Sequence, residues 1–405
     1  MYDESSDEIV GVIDMELKRL EARFFEIFKS ERGKQVKLFF SPGRINLIGE
    51  HIDYNGGFVF PAAITFGTYA VVRPREDSKI ALYSGNFEAE GVIEFDLNDL
   101  ARQEDEPWSV YVKGVVNAFM KAGYPIKKGF NAYIEGTIPN GAGLSSSASL
   151  EVLIGEILDD LNDLKVDLIE KAKLSQQAEN DYVGVNCGIM DQFAIAMGKM
   201  DKAIKLNTDN LAYEYAECRL SDYQVLIMNT NQQRELADSK YNVRRAECFE
   251  ALKLLKTKVG VNHLCDLSTE AFNQISDVLV AENLYRRAKH AITENERVKL
   301  AIAALAVDDL AAFGELLNQS HLSLRDDYEV TGQALDTIVS LACKQEGVLG
   351  ARMTGAGFGG CAIALVHQEK LQSVQAAVGK GYKEKMGYDA DFYVASIGDG
   401  VRRIH

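Results

Sequence analysis

The sequence lacks any apolar run long enough to span a lipid bilayer, so we expect no contact with a membrane. Its first ten residues, MYDESSDEIV, lack the basic and apolar regions of a signal peptide, which favours a cytoplasmic protein. The six cysteines include no C-x-x-C pair, as expected for free thiols in a reducing compartment. Repeats and low-complexity tracts are also lacking, so the composition is that of packed globular domains.

Positive charge is scarce as well, because 44 Lys and Arg against 60 Asp and Glu give a formal net charge of −16. A molecule with this charge repels phosphate polymers, which argues against broad binding to nucleic acid or to an anionic membrane surface. A small anion can still bind where local hydrogen-bond donors and a metal ion gather.

The chain of 405 residues is too long for one typical hydrophobic core, and we predict two domains, residues 1–205 and 206–405. Apolar periodicity predicts a helix over residues 150–161, and helices are also predicted over residues 8–30, 109–123, 166–182, 238–256, 296–318, 334–346 and 369–386. Strand-like runs include VKLFFS, KIALYS, GFNAYIEGTI, YQVLIMNTN, CAIALV and DFYVASI. This order predicts an α+β fold in which helices cover one face of a sheet.

A glycine- and serine-rich stretch, PNGAGLSSSAS (139–149), lies between a predicted strand and a predicted helix. It lacks the lysine of a P-loop and does not match that motif. Gly141 and Gly143 let the main chain approach a ligand, and the serines at 145–147 fall where free N–H groups and the helix dipole favour an anion. The serines alone are explained by helix capping. Together with the glycines and the proline, they favour a phosphate site.

Polar and charged residues crowd into the segment SPGRINLIGEHIDYNGG (41–57), which includes Arg44, Glu50, His51 and Asp53. Carboxylates and an imidazole are directional partners for the hydroxyls of a small polar ligand. A solvated loop with an incidental ion pair is the alternative, but the apolar runs on both sides indicate that the segment emerges from a packed core.

Two further groups are candidates for a phosphate site. Glu179 and Asp191 lie on a predicted helix end and in the loop after it, where one carboxylate can hold Mg²⁺ and the other can accept or orient a hydroxyl proton. Taken singly, each is better explained as a surface acid. The segment GARMTGAGFGGC (350–361) is either a second anion-binding loop or a tightly packed turn, and its spacing leaves both interpretations open.

Three segments of the sequence resemble the three motifs of the GHMP kinase superfamily, in the same order: GRINLIGEHIDYNGG, PNGAGLSSSASLEV and GARMTGAGFGGCAIALV. The first resembles the signature of the galactokinase branch, to which AENDYVGVNCGIMDQ and SKYNVRRAEC are also similar. The resemblance covers nearly the whole chain. It implies a two-domain α+β GHMP kinase fold with an N-terminal mixed-sheet domain (ribosomal protein S5 domain 2-like), a C-terminal ferredoxin-like α/β sandwich, and an active site in the cleft between them.

The resemblance also implies a reaction, the transfer of the ATP γ-phosphate to the C1 hydroxyl of α-D-galactose, giving galactose 1-phosphate and ADP. This step brings galactose into the Leloir pathway. The implied ligands are ATP, Mg²⁺ and galactose, and we expect a monomer. An N-acetylgalactosamine kinase and a galactose-sensing regulator without catalysis are the alternatives. The presence of Arg44, Asp191 and the complete GAGLSSSAS argues against a pure sensor.

Individual roles follow from the same resemblance. Asp191 corresponds to the catalytic acid or base, and Arg44 to the residue that stabilises the transferring phosphate. The sugar-binding positions are Glu50, His51, Ile52, Asp53 and Tyr241. The nucleotide positions are Ser84, Gly141, Ala142, Gly143, Leu144, Ser145, Ser146 and Ser147, and the Mg²⁺ positions are Ser147 and Glu179.

One position departs from the family pattern, because Ile52 stands where the motif commonly has threonine. Isoleucine cannot form a hydrogen bond through its side chain. We therefore expect this difference to affect local packing and fine sugar specificity, while the neighbouring acids remain in place.

Overall fold

The structure is a computed structural model that describes residues 4–29, 35–103, 106–139, 143–232 and 237–405. Its helices are α1 (Glu4–Ile27), α2 (Ser109–Lys121), α3 (Ser146–Asn162), α4 (Leu168–Gln177), α5 (Met190–Met197), α6 (Ala237–Leu255), α7 (Thr269–Ile275), α8 (Glu282–Ala306), α9 (Leu310–Ser323), α10 (Gly332–Ala342) and α11 (Leu371–Met386). Its strands are β1 (Lys37–Asn46), β2 (Phe58–Val59), β3 (Pro61–Pro74), β4 (Lys79–Ser84), β5 (Ile93–Asp96), β6 (Phe130–Gly136), β7 (Lys202–Asn207), β8 (Tyr213–Glu217), β9 (Tyr223–Asn229), β10 (Val348–Met353), β11 (Cys361–His367), β12 (Asp391–Ala395) and β13 (Arg402–Arg403).

The N-terminal half is built on a six-stranded sheet with the order β13-β1-β3-β6-β4-β5. β4 and β6 pair in parallel and the other neighbours pair antiparallel, so the sheet is mixed as predicted. Apolar side chains of the sheet pack against α2 and α3, as in the cluster that includes Phe39, Leu82, Phe130 and Leu153. The beginning of α3 is thereby fixed beside the sheet, which matters for the site described below.

The C-terminal half contains a four-stranded antiparallel sheet with the order β10-β11-β9-β12. Its inner strand β11 is buried over Cys361–Val366, and α10 buries Leu335, Ile338 and Ala342 in the same core. α11 contributes Val374 and Val378 to this core. The arrangement is the C-terminal α/β sandwich that the resemblance implied.

The two halves are connected by strands as well as by loops. A third sheet, β2-β7-β8, pairs β2 of the N-terminal half with β7. The predicted domain boundary at residue 205 falls within β7 and stays a prediction. β13, near the end of the chain, pairs with β1 through Phe39 and Phe40. No helix in the described part of the chain is long and apolar enough to cross a membrane.

The prediction of a single helix over residues 296–318 is wrong, because two helices meet there. α8 ends at Ala306 and α9 begins at Leu310. Asp308 has a positive φ of 57°, and the Asp309 side chain caps α9 by accepting a hydrogen bond from the Ala312 N–H. The apolar periodicity continues across this interruption, which is why the pattern does not reveal it.

Candidate active site

Arg44 and Asp191 form the centre of the site. Arg44 lies on β1 next to a shift in strand register and is 4% exposed. Its Nε donates to Asp191 Oδ1 at 2.8 Å and its Nη2 to Asp191 Oδ2 at 2.6 Å, which is a bidentate ion pair. Ser145 Oγ adds a third hydrogen bond, to Asp191 Oδ2 at 2.5 Å. The carboxylate is therefore fixed in position by three donors.

The glycine- and serine-rich loop closes over the same arginine. Arg44 Nη1 donates to the Gly143 carbonyl oxygen at 2.9 Å, and the Arg44 backbone N–H donates to the Leu144 carbonyl oxygen at 3.2 Å. Ser145 is the N-cap residue of α3 but makes no capping hydrogen bond with its side chain, which is directed to Asp191. Ser146 and Ser147 begin the helix, as the sequence predicted. Gly141 and Ala142 lie outside the described residues.

The third motif meets the first two at Gly355. A Cβ placed on this glycine would lie 2.9 Å from the Gly143 carbonyl oxygen and 3.8 Å from Arg44 Nη2. Only a residue without a side chain allows this approach. The segments that carry Arg44, Gly143 and Gly355 are far apart in the sequence and in direct contact in the structure.

A second group of oxygen atoms lies at the start of α3. Ser147 Oγ donates to Glu179 Oε1 at 3.2 Å. Gln192 Nε2 donates to Glu179 Oε2 at 2.7 Å and to Glu151 Oε2 at 3.0 Å, so one amide connects two carboxylates. Cys187 Sγ also donates to Glu179 Oε2, at 3.3 Å. Glu179 lies in a π-helical turn, Ala178–Val183. Short π-helical segments frequently occur at functional sites.

The electrostatics of this group fit a bound cation. Burial raises the pKa of both Glu151 and Glu179, and the negative charges of neighbouring carboxylates raise them further. The other oxygen of Glu151, Oε1, is buried and has no hydrogen-bond partner. No cluster of three or more His, Cys, Asp or Glu suited to a metal is found among the described residues. Mg²⁺ takes only one or two protein carboxylates when phosphates complete its coordination. The assignment of Ser147 and Glu179 to Mg²⁺ stays a prediction.

Glu50 is 1% exposed, and both of its carboxylate oxygens have partners within the protein. Its Oε1 accepts from the Gly355 backbone N–H at 2.6 Å and from Thr354 Oγ1 at 3.2 Å. Its Oε2 accepts from Asn46 Nδ2 and lies 2.9 Å from Arg352 Nη2 in an ion pair. These contacts tie the first motif to the third.

His51 is 5% exposed and has a positive φ of 61°. Its two ring nitrogens lie 2.8 Å from Tyr54 Oη and 3.1 Å from the Ala356 carbonyl oxygen. Burial, together with the nearby His290, lowers the pKa of His51 to about 3, so the imidazole is neutral near pH 7.

Asp53 packs against the loop before α5. A Cβ on Gly188 would lie 1.8 Å from Asp53 Oδ2, so the carboxylate fills the space that this glycine leaves. Burial, with the negative charge of Asp191 as the next cause, raises the pKa of Asp53 to about 7. Asp53 is thus close enough to Asp191 for their charges to interact.

Tyr241 lies against the rings of His51 and Tyr54, whereas Ile52 belongs to the hydrophobic core. The Tyr241 ring, on α6, lies 5.5 Å from the His51 ring and 5.6 Å from the Tyr54 ring, between centroids. Ile52 is fully buried in the hydrophobic core, where it packs against Gly57. The apolar residue at this position is therefore accommodated by packing.

Ser84 is not joined to this group by any observed contact among the described residues. It ends β4, is 4% exposed, and its Oγ accepts from the Asn86 backbone N–H at 3.2 Å. β4 lies beside β6, the strand that leads into the glycine- and serine-rich loop. Its nucleotide contact stays a prediction.

Several residues of the site were not singled out from the sequence. They are Glu151, Gly188, Gln192, Arg352 and Tyr328, whose ring centroid lies 4.9 Å from that of His51. A local signal existed for two of them, because Glu151 follows Ser147 by one helical turn and Gln192 follows Asp191 directly. The structure also contains a cavity of about 770 Å³ lined by Lys240, Phe358 and eight other residues. None of the site residues predicted from the sequence lines it.

Three family models match the chain. They are the galactokinase galactose-binding signature over residues 22–74, the GHMP kinases N terminal domain over 110–199 and the GHMP kinases C terminal domain over 301–384. A galactokinase of Clostridium perfringens is 54% identical over 386 residues, which are 95% of this chain and 99% of that protein. The chain belongs to the galactokinase family. A Lactococcus lactis galactokinase is also 54% identical, over 96% of this chain and 97% of its own length.

Solved structures agree with this family. The crystal structure of Lactococcus lactis galactokinase complexed with galactose has a TM-score of 0.94 and 54% identity, covering 96% of this chain and all of that one. A mevalonate kinase structure has a TM-score of 0.63 at 18% identity, over 90% of this chain and all of the other, and shows the shared fold alone. As a galactokinase-family member, the chain is an ATP-dependent sugar kinase of GHMP kinase fold.

Proposed function

We propose that this sugar kinase transfers the γ-phosphoryl group of ATP to the C1 hydroxyl of α-D-galactose, giving α-D-galactose 1-phosphate and ADP. The contact of Arg44 with both Asp191 and the Gly143 carbonyl carries the proposal, because it joins a carboxylate, a fixed cation and a phosphate-type loop within hydrogen-bond distance. Phosphoryl transfer depends mainly on positioning and charge neutralisation. Those are the properties that this arrangement supplies.

Asp191 is the residue that handles the proton of the sugar hydroxyl. Three donors fix its carboxylate, and its side chain is 29% exposed, so it remains reachable from the site. Asp191 accepts the C1 hydroxyl proton or orients the hydroxyl by a hydrogen bond. Arg44 stays charged at any working pH and stabilises the oxygens of the phosphoryl group during transfer.

Backbone N–H groups at the start of α3 take over the role of a P-loop lysine. The helix begins at Ser146, and its first N–H groups have no partners within the helix, so they favour a bound phosphate. Ser147 and Glu179 would hold Mg²⁺ through hard oxygen atoms. The ion, when bound, offsets the charge of the ATP phosphates.

The sugar is assigned to the pocket formed by Asp53, His51 and Tyr241. The Asp53 carboxylate is close enough to Asp191 for their charges to interact, and Tyr241 provides a ring and a hydroxyl from α6. Glu50 supports this pocket by holding the Gly355 N–H and Arg352. The hydroxyl groups of galactose can donate hydrogen bonds, and carboxylates at fixed positions can accept them.

An N-acetylgalactosamine kinase is the second candidate, because N-acetylgalactosamine differs from galactose only in the substituent at C2. A galactose sensor without catalysis is the third. A coupled assay of ADP release, with purified protein, Mg²⁺ and ATP, across a panel of hexoses tests all three. Galactose as the fastest substrate supports the proposal, a faster N-acetylgalactosamine supports the second candidate, and binding without turnover supports the third.

A further inference from the structure

The hydrogen bonds around His51 have a single possible direction. Its Nε2 lies 3.1 Å from the Ala356 carbonyl oxygen and its Nδ1 lies 2.8 Å from Tyr54 Oη. A carbonyl oxygen can only accept, so Nε2 carries the ring proton and Nδ1 of the neutral imidazole is an acceptor. Tyr54 must therefore donate its hydroxyl proton to His51.

The direction then passes to two more side chains. Tyr328 Oη lies 2.8 Å from Tyr54 Oη, and because Tyr54 has already used its proton, Tyr328 is the donor. Cys248 Sγ lies 3.0 Å from Tyr328 Oη and, by the same reasoning, donates to it. Burial raises the pKa of Cys248 to about 11, so the thiol keeps its proton near pH 7. We call the series Cys248, Tyr328, Tyr54, His51 the His51 chain.

The His51 chain links parts of the molecule that are distant in sequence. Cys248 lies on α6, Tyr328 lies in a π-helical turn after α9, and the chain ends at Ala356 in the third motif. Gly355, which precedes Ala356, contacts the Gly143 carbonyl beside Arg44. The ring position of His51 is thereby coupled to the loop that packs on the phosphate-binding segment.

Both ring nitrogens of His51 are used within the protein, which leaves none for a sugar hydroxyl. The ring still faces Tyr241 at 5.5 Å between centroids, and Tyr54 faces Tyr241 at 5.6 Å. No hydrogen-bond partner of the Tyr241 hydroxyl is found in the described part of the protein. Hydroxyl recognition is therefore left to groups such as Asp53 and Tyr241.

We propose that Tyr54, Tyr328 and Cys248 are positioning residues of the sugar pocket, and that they hold His51 as a rigid wall of that pocket. The inference rests on the proposed function, in which galactose occupies the pocket. It follows that removing a hydrogen bond of the His51 chain weakens sugar binding more when that bond lies nearer to His51.

A series of variants tests this order. Tyr54→Phe leaves a buried Nδ1 without a donor and should raise the KM for galactose about tenfold, Tyr328→Phe about threefold and Cys248→Ala less than about twofold. The kcat and the KM for ATP should change by less than about twofold. The double variant Tyr54→Phe/Tyr328→Phe should be no worse than Tyr54→Phe alone, because Tyr328 acts through Tyr54. Additive losses, or an equal rise in the KM for ATP, would overturn the proposal.

Tyr382→Phe is the matched control. Tyr382 is fully buried on α11 and donates to the Thr230 carbonyl oxygen at 2.8 Å, so it also loses one buried hydroxyl. We expect a similar loss of thermal stability to that of Tyr328→Phe and an unchanged KM for galactose. A raised KM in the control would assign the effect to general destabilisation.

Nitrogen NMR of the histidine rings separates this inference from the proposed function. The resonances of His51, identified by their loss in His51→Gln, should show the Nε2–H tautomer both without and with saturating galactose. A change of tautomer or a new bond to Nδ1 on adding galactose would contradict the proposal. If the wild-type protein fails to phosphorylate galactose, the proposed function fails, and the spectra of the free protein still test the His51 chain.

Discussion

At the residue scale, three hydrogen-bond donors hold the Asp191 carboxylate. A substitution that keeps the shape of this side chain therefore isolates the role of its charge. We expect Asp191→Asn to lower kcat about 10²- to 10⁴-fold, the usual contribution of a general acid or base. Galactose should remain bound, because the sugar pocket is built mainly from other residues. Steady-state kinetics and calorimetric titration with galactose measure the two effects separately.

Ser145→Ala is the control for that experiment, because it removes only one of the three hydrogen bonds to Asp191. Its effect on kcat should be about tenfold at most. Near-normal turnover in Asp191→Asn would remove this carboxylate from the mechanism. Unfolding of Asp191→Asn would instead show that the protein cannot stay folded with the buried charge of Arg44 unless Asp191 pairs with it.

Asp53 gives a prediction about stability and pH. Its pKa is raised from 3.8 to about 7 by burial and by the charge of Asp191. Between these values the folded protein keeps a proton that the unfolded chain has lost, so the contribution of Asp53 to stability falls as pH rises from about 4 to about 7. Asp53→Asn cannot titrate. Its free energy of unfolding relative to wild type should therefore increase by about 2.5 kcal/mol between pH 5 and pH 8.

Urea unfolding of both proteins at several pH values in this interval provides the measurement. The comparison cancels the titration of the other carboxylates, since both proteins contain them. A difference between the two proteins that stays constant from pH 5 to pH 8 would show that Asp53 is ionised throughout.

At the element scale, Asp53 is positioned by the loop of residues 184–189, which lies between the π-helical turn and α5. A Cβ on Gly188 would lie 1.8 Å from Asp53 Oδ2, so Gly188→Ala must displace the carboxylate. We expect the KM for galactose to rise at least about tenfold, with the KM for ATP changed by less than about twofold. Gly260→Ala is the control, because nothing lies within 4 Å of the added Cβ. Equal kinetics in the two variants would contradict a sugar-binding role for Asp53.

Local patterns explain which elements could be predicted. The glycines and serines of residues 143–147 mark a strand-to-helix turn, and α3 begins there as expected. Helix periodicity failed over residues 296–318, because apolar spacing continues while Asp308 and Asp309 interrupt the backbone. The spacing of apolar residues also does not distinguish the π-helical turn that contains Glu179 from the end of an α-helix.

The partners of the site residues could not be predicted for a different reason. The sequence suggested Glu50 and His51 as polar groups near a ligand, but their bonds to Gly355 and Ala356 depend on how the two halves pack. The bond from Gln192 to Glu151 depends likewise on the packing of α5 against α3. Long-range contacts of this kind leave no signal in the spacing of residues along one chain.

At the scale of the whole molecule, the first motif is held by the C-terminal half. Arg352 is fully buried, donates to the carbonyl oxygens of Asn46 and Leu47 at 3.0 and 3.1 Å, and pairs with Glu50 at 2.9 Å. β13 adds pairing to β1 at the edge of the N-terminal sheet. These contacts oppose independent unfolding of the predicted domains, residues 1–205 and 206–405.

We therefore expect a single cooperative unfolding transition, although two-domain proteins often unfold in steps. The only tryptophan, Trp108, precedes α2 and reports on the N-terminal half, whereas far-UV circular dichroism reports on both halves. The two signals should give the same midpoint in urea. Arg352→Met removes the bonds to Asn46, Leu47 and Glu50, and it should separate the midpoints. Two transitions in the wild-type protein would mean that the contacts between the halves are too weak to couple them.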